Sequence, residues 1–306
     1  MKKGILVIGS LNMDMLVEMV KMPVLGETVL GRTISYKTGG KGANQACAAG
    51  KLGGKVRMLG CIGRDEFGQK LVGSLEASGV ETGYLKESSD QPTGLAVIYV
   101  DHNGDNSIVV IPGANNECDV EYLKASDEQF QWCDYVVLQM EIPYDAVWYG
   151  IKRAKELGKT VILNPAPAPE TIPEEILPLI DYITPNETEL ATLSGIGGGS
   201  REAIIQGARV LIQRGVSHVV VTLGDQGAMV AGKAGEQFYS ARKVKAVDTT
   251  AAGDCFNGAL AVALAEGQGE DQTIGFANLA SSIAVTRKGA QESLPLRDEL
   301  RKVLKK

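Results

Sequence analysis

Thirteen residues near the C-terminal end, Ala246 to Gly258 (AVDTTAAGDCFNG), combine a flexible turn with a carboxylate at the start of an apolar helix. Phe256, Ala259, Leu260, Val262, Ala263 and Leu264 recur at helical spacing after Asp254. Thr249 and Thr250 are residue types that open helices. The first amides of a helix have no internal acceptor and carry the positive end of its dipole. Ala251, Ala252 and Gly253 can aim such amides at one point without bulky side chains in the way. That arrangement suits a phosphate or another anion. Asp254 cannot itself bind phosphate. Beside an anion site, its chemistry would be to orient a hydroxyl and take its proton as a phosphoryl group arrives. The alternative is that Asp254 only stabilises the first helical turn.

Polar residues at strand ends supply the rest of a possible cleft. Gly4 to Ser10 (GILVIGS) is a continuous apolar run, suited to a strand buried on both faces of a parallel sheet. Asn12 and Asp14 follow it and could grip neighbouring hydroxyls, or could form a turn with side chain to backbone bonds. Glu141 follows VVLQM, Asn164 follows TVIL, Asn186 to Glu189 follow YITP, and Thr222 to Gly227 follow HVVV. In open α/β sheets that edge is where ligands bind.

The elements carrying these residues read as a doubly wound α/β fold with a mostly parallel sheet. Strand Val56 to Ile62, helix Glu66 to Ser78, helix Val120 to Phe130, strand Tyr135 to Met140, helix Tyr144 to Leu157 and strand Thr160 to Leu163 alternate. Strand Tyr182 to Thr184, helices Glu187 to Leu193 and Arg201 to Arg214, and strand His218 to Leu223 continue the pattern. Two stretches break it. Leu16 to Val20 and Thr33 to Tyr36 read as short strands, and Gly94 to Pro112 as a hairpin turning at His102-Asn103-Gly104-Asp105. These insertions, at about 14–38 and 94–112, predict a small separate sheet acting as a lid on a single domain spanning 1–306. Between them, TGGKGANQACAAG starts a small-residue helix after Gly39 and Gly40, where a backbone can approach a ligand closely. It has neither GxxxxGK[ST] nor GxGxxG spacing. Residues 295–306 read as a basic amphipathic helix with a solvated face.

Composition excludes several classes. The net charge of −6 gives no footprint for nucleic acid, and no apolar run reaches the ~18 residues of a membrane span. The N-terminal apolar run breaks at Gly9 and Ser10, unlike a signal peptide. Five cysteines without paired spacing read as reduced thiols of a cytoplasmic protein. Two histidines, His102 and His218, read as structural and leave little room for a histidine metal site or a Ser-His-Asp triad.

GSLNMD, GGKGANQA, LNPAP, TPNETE, TLGDQG, DTTAAGDCFNG and AVTRKGAQ, in this order from Gly9 to Ser293, resemble the ribokinase family of sugar kinases. The resemblance implies ATP-dependent phosphorylation of the O5 hydroxyl of D-ribose, with Asp254 as base and an anion hole at Ala251, Ala252 and Gly253. It implies sugar binding by Asn12, Asp14, Gly39, Gly40, Lys41, Asn44 and Glu141. Asn186 and Glu189 would order Mg2+ and phosphate, Thr222, Gly224, Asp225 and Gly227 would lie along ATP with Gly253, and Asn278 would lie near adenine. Asp248, Thr250, Ala284, Arg287, Gly289 and Ser293 would hold a monovalent cation, K+. The lid would pair two subunits of a homodimer. Cys255 replaces the usual threonine after the base and could make the site thiol-sensitive. Alternatives are a kinase for deoxyribose, fructose or a nucleoside, and a sugar-binding protein without catalysis. A nicotinamide-dependent dehydrogenase would need the missing dinucleotide fingerprint.

Overall fold

Alternation within GILVI decides which helices can cover the sheet. Ile5 and Val7 enter one apolar cluster, and Leu6 and Ile8 enter another on the opposite face. Strands that bury both faces need helices on both sides. The computed structural model, which describes residues 3–304, has that layering.

Along the chain come β1 (Gly4–Ile8), β2 (Asn12–Met19), β3 (Gly31–Gly39) and α1 (Lys41–Lys51). They are followed by β4 (Lys55–Leu59), β5 (Cys61–Gly63), α2 (Glu66–Ala77), β6 (Val80–Glu81) and β7 (Lys86–Ser88). Next are β8 (Gly94–Val100), β9 (Asn106–Ile111), α3 (Val120–Ala125), α4 (Asp127–Trp132), β10 (Tyr135–Leu138) and α5 (Tyr144–Glu156). Then β11 (Thr160–Leu163), β12 (Tyr182–Ile183), α6 (Glu187–Ser194), α7 (Arg201–Gln213) and β13 (His218–Thr222) alternate. The chain closes with β14 (Ala228–Gly232), β15 (Gly235–Tyr239), α8 (Ala252–Ala265), α9 (Glu270–Ala284) and α10 (Arg297–Leu304).

The main sheet has nine strands in the order β15-β14-β13-β12-β11-β10-β1-β4-β6. It is parallel except where β14 pairs with β13 and β15. α1, α2, α8 and α9 pack on one face and α3 to α7 on the other. From β1 the chain proceeds to β4 on one side and later places β10 on the other, with Val7 opposite both Met58 and Val137. The gap beyond β1 and β10 is therefore the switch point where such sheets bind ligands.

The two insertions build one four-stranded sheet, β3-β2-β8-β9. β2 and β8 join the two pairs in parallel. β2 and β3 are longer than the short runs read from sequence at 16–20 and 33–36. Asn12 and Asp14 lie inside β2, opposite Gly39 and Lys37 of β3. A turn at these residues is excluded, because both cross-strand neighbours hold them extended.

Other differences have local causes. The helix expected over Val120 to Phe130 divides at Ser126, whose amide is shared between Tyr122 and Leu123 carbonyls. The strand expected over Val56 to Ile62 breaks at Gly60, whose amide donates to the Tyr122 hydroxyl. α10 is not wholly solvated, since Leu300 is fully buried. Residues 305 and 306 of that stretch lie outside the described residues. His218 stacks on Tyr182, and His102 sits in the lid turn with Nδ1 against the Val20 carbonyl. Among the described residues, no helix is long and apolar enough to cross a membrane.

Candidate active site

The site is assembled where α1 begins against the ends of β1 and β10. Gly40 is the N-cap of α1 with φ 86°, a conformation favoured for glycine. Gly42 must also lack a side chain, since a Cβ there would stand 2.6 Å from the Gly9 carbonyl carbon. This close seat lets β1 serve the helix. Ser10 Oγ donates to Glu141 Oε2 at 2.6 Å, and the Lys41 amide donates to the same oxygen at 3.1 Å. Asn115 fixes the start of β2 by donating to Asn12 Oδ1 at 2.7 Å.

The other half is the first turn of α8. Ala251 is its N-cap at φ 58°, the sole non-glycine residue with positive φ among those described. An alanine there costs about 1 kcal/mol, a strain characteristic of functional turns. The threonines do not cap the helix. The Asp248 carboxylate shapes the turn instead, with Oδ1 accepting from the Thr250 amide and Oδ2 from the Gly289 amide, each at 2.9 Å. Of the three amides expected to share an anion, Ala252 N–H is turned to the Thr249 carbonyl at 3.1 Å. The amides of Ala251 and Gly253 have no acceptor among the described residues, and that of Asp254 joins them. A Cβ at Gly253 would meet nothing within 4 Å, so this turn faces open space.

α1 and α8 pack side by side, and their small residues permit contact close enough for side chains to meet. Gly258 of α8 allows it, since a Cβ there would lie 2.6 Å from Ala48. Asn44 Nδ2 then donates to Asp254 Oδ2 at 2.9 Å, and Gln45 Nε2 to Asp254 Oδ1 at 3.0 Å. Asp254 is 6% exposed, and Asn44 Oδ1 is buried without a donor.

Charges crowd this corner. Burial, then the carboxylates of Glu141, Asp254 and Glu292, raise the Asp14 pKa to about 7, against the opposing pull of Lys41. Burial alone would lower Lys41, but Asp254, Glu141, Glu189 and Asp14 outweigh it and hold the ammonium charged. Burial raises Glu189 as well. The Asp14 carboxylate lies against Gly39, where a Cβ would stand 2.3 Å from Oδ2. Burial and Asp254 push the Cys255 thiol up, and its side chain is inaccessible. It is the wrong environment for a reactive thiol, contrary to the expectation of thiol sensitivity.

Two cavities meet at the α8 turn. The smaller, about 230 Å³, is lined by Lys41, Asn186, Glu189, Gly253 and Asp254 among others. The larger, about 500 Å³, is mainly apolar and includes Gly224, Asp225, Gly227, Val244, Phe256 and Asn278. Thr222, Thr249, Ala252 and Gly253 line both. Asn186 and Glu189 form a capping box on α6, each bonding the other's backbone amide. That box leaves the second Glu189 oxygen uncommitted. Asn278 is buried and donates to the Tyr239 carbonyl at 3.3 Å.

Behind the turn, the amides of Val247 and Asp248 both reach the Val285 carbonyl, tying the Asp248 loop to the segment after α9. The carbonyls of Thr250, Arg287 and Gly289 accept no hydrogen bond from the described residues. Such oxygens beside a carboxylate are the donor set of a hard cation. Of the other residues expected there, the Ala284 carbonyl already accepts the Arg287 amide, and Ser293 Oγ donates to the Ala290 carbonyl. The Arg287 side chain is occupied by Glu299.

Sequence reasoning did not single out Gln45, Gln139, Thr184 or Asn257. Gln45 links Asp254 to Asn164, Asn164 donates to the Thr184 carbonyl, and Thr184 Oγ1 donates to Asn257 Oδ1 at 2.6 Å. Asn257 Nδ2 returns to the Gly253 carbonyl at 2.9 Å. The available signal was the run of polar residues on otherwise apolar elements: Gln45 in an alanine-rich helix and Gln139 ending VVL.

Comparison with known proteins bears on the family to which the chain belongs. The model of the pfkB family carbohydrate kinases matches residues 2–297. The chain is 39% identical over 299 residues to a ribokinase of Haemophilus influenzae, covering 98% of this chain and 97% of that one. It is 36% identical over 291 residues to a deoxyribokinase of Salmonella typhi, covering 95% of each. The structure of Arabidopsis thaliana ribokinase complexed with ribose and ATP superposes with a TM-score of 0.93 at 35% identity, covering 100% of both chains. The match of the family model across residues 2–297, with relatives 36 to 39% identical over nearly their whole length, places this protein in the pfkB family of carbohydrate kinases.

Proposed function

We propose that this protein transfers the γ-phosphoryl group of ATP to the O5 hydroxyl of D-ribose, giving ribose 5-phosphate and ADP. One observation carries the reading: Asp254 and the unpaired amides of the α8 turn stand where a mainly apolar cavity meets a polar one. The apolar cavity, with Gly224, Asp225, Gly227 and Asn278, suits the nucleotide. Asn12, Asp14, Gly39, Gly40, Lys41, Asn44 and Glu141 bind the sugar. Asp254 accepts the hydroxyl proton, and the amides of Ala251 and Gly253 stabilise charge on the transferring group. Lys41, held charged by four carboxylates, adds to that stabilisation. Asn186 and Glu189 order Mg2+, which when bound neutralises phosphate charge. The relatives named above support the substrate class. A panel of pentoses, hexoses and nucleosides with ATP, read by coupled ADP release, tests it: ribose should give the highest kcat/KM, and a nucleoside or fructose ranking first would overturn it.

K+ at the Asp248 loop would shape the anion hole from behind without touching substrate. Uncommitted carbonyls of Thr250, Arg287 and Gly289 beside the Asp248 carboxylate support this reading. Turnover with Mg2+ present should be several-fold faster in K+ than in Na+ or without a monovalent cation, and Asp248→Ala should erase the difference. Equal rates in all three buffers would remove the cation from the account.

The lid sheet leaves β9 uncovered. Ile108, Val109, Val110 and Ile111 are 46 to 54% exposed, and Ile34 and Tyr36 on β3 are similarly open. An apolar edge of this kind is a hazard for a monomer and an asset for an interface. The inserted strands thus serve as both lid and homodimer contact. Sedimentation equilibrium should show a dimer, and Ile108→Lys with Val110→Lys should convert it to a monomer. A monomeric parent protein would refute the interface. Five free, buried cysteines support a reducing, cytoplasmic setting.

A further inference from the structure

We propose that Gln45, held in place by Gln139, is the positioning residue that aims Asp254: it fixes Oδ1 so that Oδ2 is the oxygen taking the sugar proton. This rests on the assignment of Asp254 as base.

Gln45 and Gln139 are both fully buried. The Gln45 amide nitrogen spends its hydrogens on Asp254 Oδ1 and Asn164 Oδ1, each at 3.0 Å. Its oxygen accepts from Gln139 Nε2 at 2.8 Å. Flipping the amide would bring its oxygen against two oxygens and its NH2 against another NH2. Three bonds would be lost at once, so Gln45 can only donate to Asp254. Gln139 is seated just as strictly. Its Oε1 is buried without a donor, and a Cβ at Gly9 would stand 2.0 Å from it. An orphaned buried oxygen is costly, and its retention is explained if the other end of the same amide is needed to set Gln45.

The two sides of the Asp254 carboxylate differ accordingly. Oδ1 faces a saturated, inaccessible amide. Oδ2 faces the single amide of Asn44, whose own Oδ1 is buried and unpartnered, so this side of the carboxylate is held less strictly. The charged and titratable groups acting on Asp254 from neighbouring elements are Lys41 on α1, Asp14 on β2, Glu189 on α6 and the adjacent Cys255 thiol. Gln45 adds a neutral donor that orients without titrating. In the step it serves, the sugar O–H bond breaks and its proton passes to Oδ2. The sugar oxygen forms the new O–P bond as the bond from phosphorus to the ADP oxygen breaks, and ADP leaves with that electron pair.

The test is steady-state kinetics of Gln45→Met, Gln45→Glu, Gln139→Met and the double methionine variant, with ATP binding by calorimetry to verify folding. Gln45→Met should lower kcat by about 10- to 100-fold, the scale of a misplaced reacting group. KM for ribose and ATP should stay within about threefold. Gln139→Met should lower kcat less, and adding it to Gln45→Met should change little, because both act through one bond. In Gln45→Glu the introduced carboxyl can donate to Oδ1 only when protonated, so kcat relative to the parent should rise as pH is lowered. Unchanged kcat in Gln45→Met with reduced thermal stability would make Gln45 a packing residue and overturn the proposal. A raised KM for ribose at constant kcat would make it a sugar contact and overturn it equally. Failure of the base assignment is separate, since it would appear as full turnover in Asp254→Asn.

Discussion

Asp254→Asn is expected to lower kcat by about 10² to 10⁴, the usual span for loss of a general base, while ATP and ribose still bind. This corresponds to about 3 to 5 kcal/mol of transition-state stabilisation. The variant should fold. Gln45 can donate only, so the introduced amide must turn its oxygen to Gln45 and its NH2 to Asn44. Asn44 has a buried, unpartnered Oδ1 and can flip to accept that NH2. The hydrogen bonds to the side chain are thereby conserved, and only the capacity to take a proton is lost. Saturating kinetics paired with calorimetric binding of each substrate measures the effect. Full turnover in a folded, substrate-binding Asp254→Asn would remove this residue from the mechanism.

The second large effect concerns the sugar 2-hydroxyl. D-ribose should be used in preference to 2-deoxyribose by up to about 10⁴ in kcat/KM, because a polar site is left unpaired when the hydroxyl is absent. Asp14→Ala should damage ribose use far more than ATP affinity. The β2 strand fixes this side chain between Gly39 and the Lys41 corner. Its raised pKa of about 7 adds a pH signature. Below that value Asp14 is neutral in the free protein, and above it the carboxylate accepts hydroxyls. Ribose kcat/KM should therefore rise as pH passes through about 7, and Asp14→Asn should lose that step. Stability should move in the opposite direction. With a folded pKa above the unfolded value of 3.8, the native state binds more protons between the two, so stability falls as pH climbs across that window. Asp14→Asn should thus gain more melting temperature at pH 8 than at pH 5. Equal use of both sugars by the parent protein would defeat the ribose assignment and leave a broader sugar kinase, a meaningful outcome given the similarity to a deoxyribokinase.

The sequence by itself determined what depends on neighbours along the chain. The uninterrupted run in GILVI required burial on both faces, the Asn103-Gly104 turn required a hairpin, and the pattern after Asp254 required an apolar helix. Asp254 could be named as a candidate base from its place in the first turn of an apolar helix, whereas the roles proposed for Lys41, Asn44 and Glu141 came from the family resemblance of their motifs. Tertiary structure decided everything set by partners far apart. Asn12 and Asp14 became strand residues only because β3 and β8 flank them. The strained Ala251 turn takes its shape from Asp248 and Gly289, which approach through the tie to Val285. Gln45 looked like one more residue of a small-residue helix until α1 met α8 and brought it within 3.0 Å of a carboxylate 209 positions away. Side-chain periodicity is a property of the local backbone and can be read from it. A hydrogen-bond partner or a shifted pKa is a property of packing, and it exists only after the apolar faces of separate elements have closed on each other.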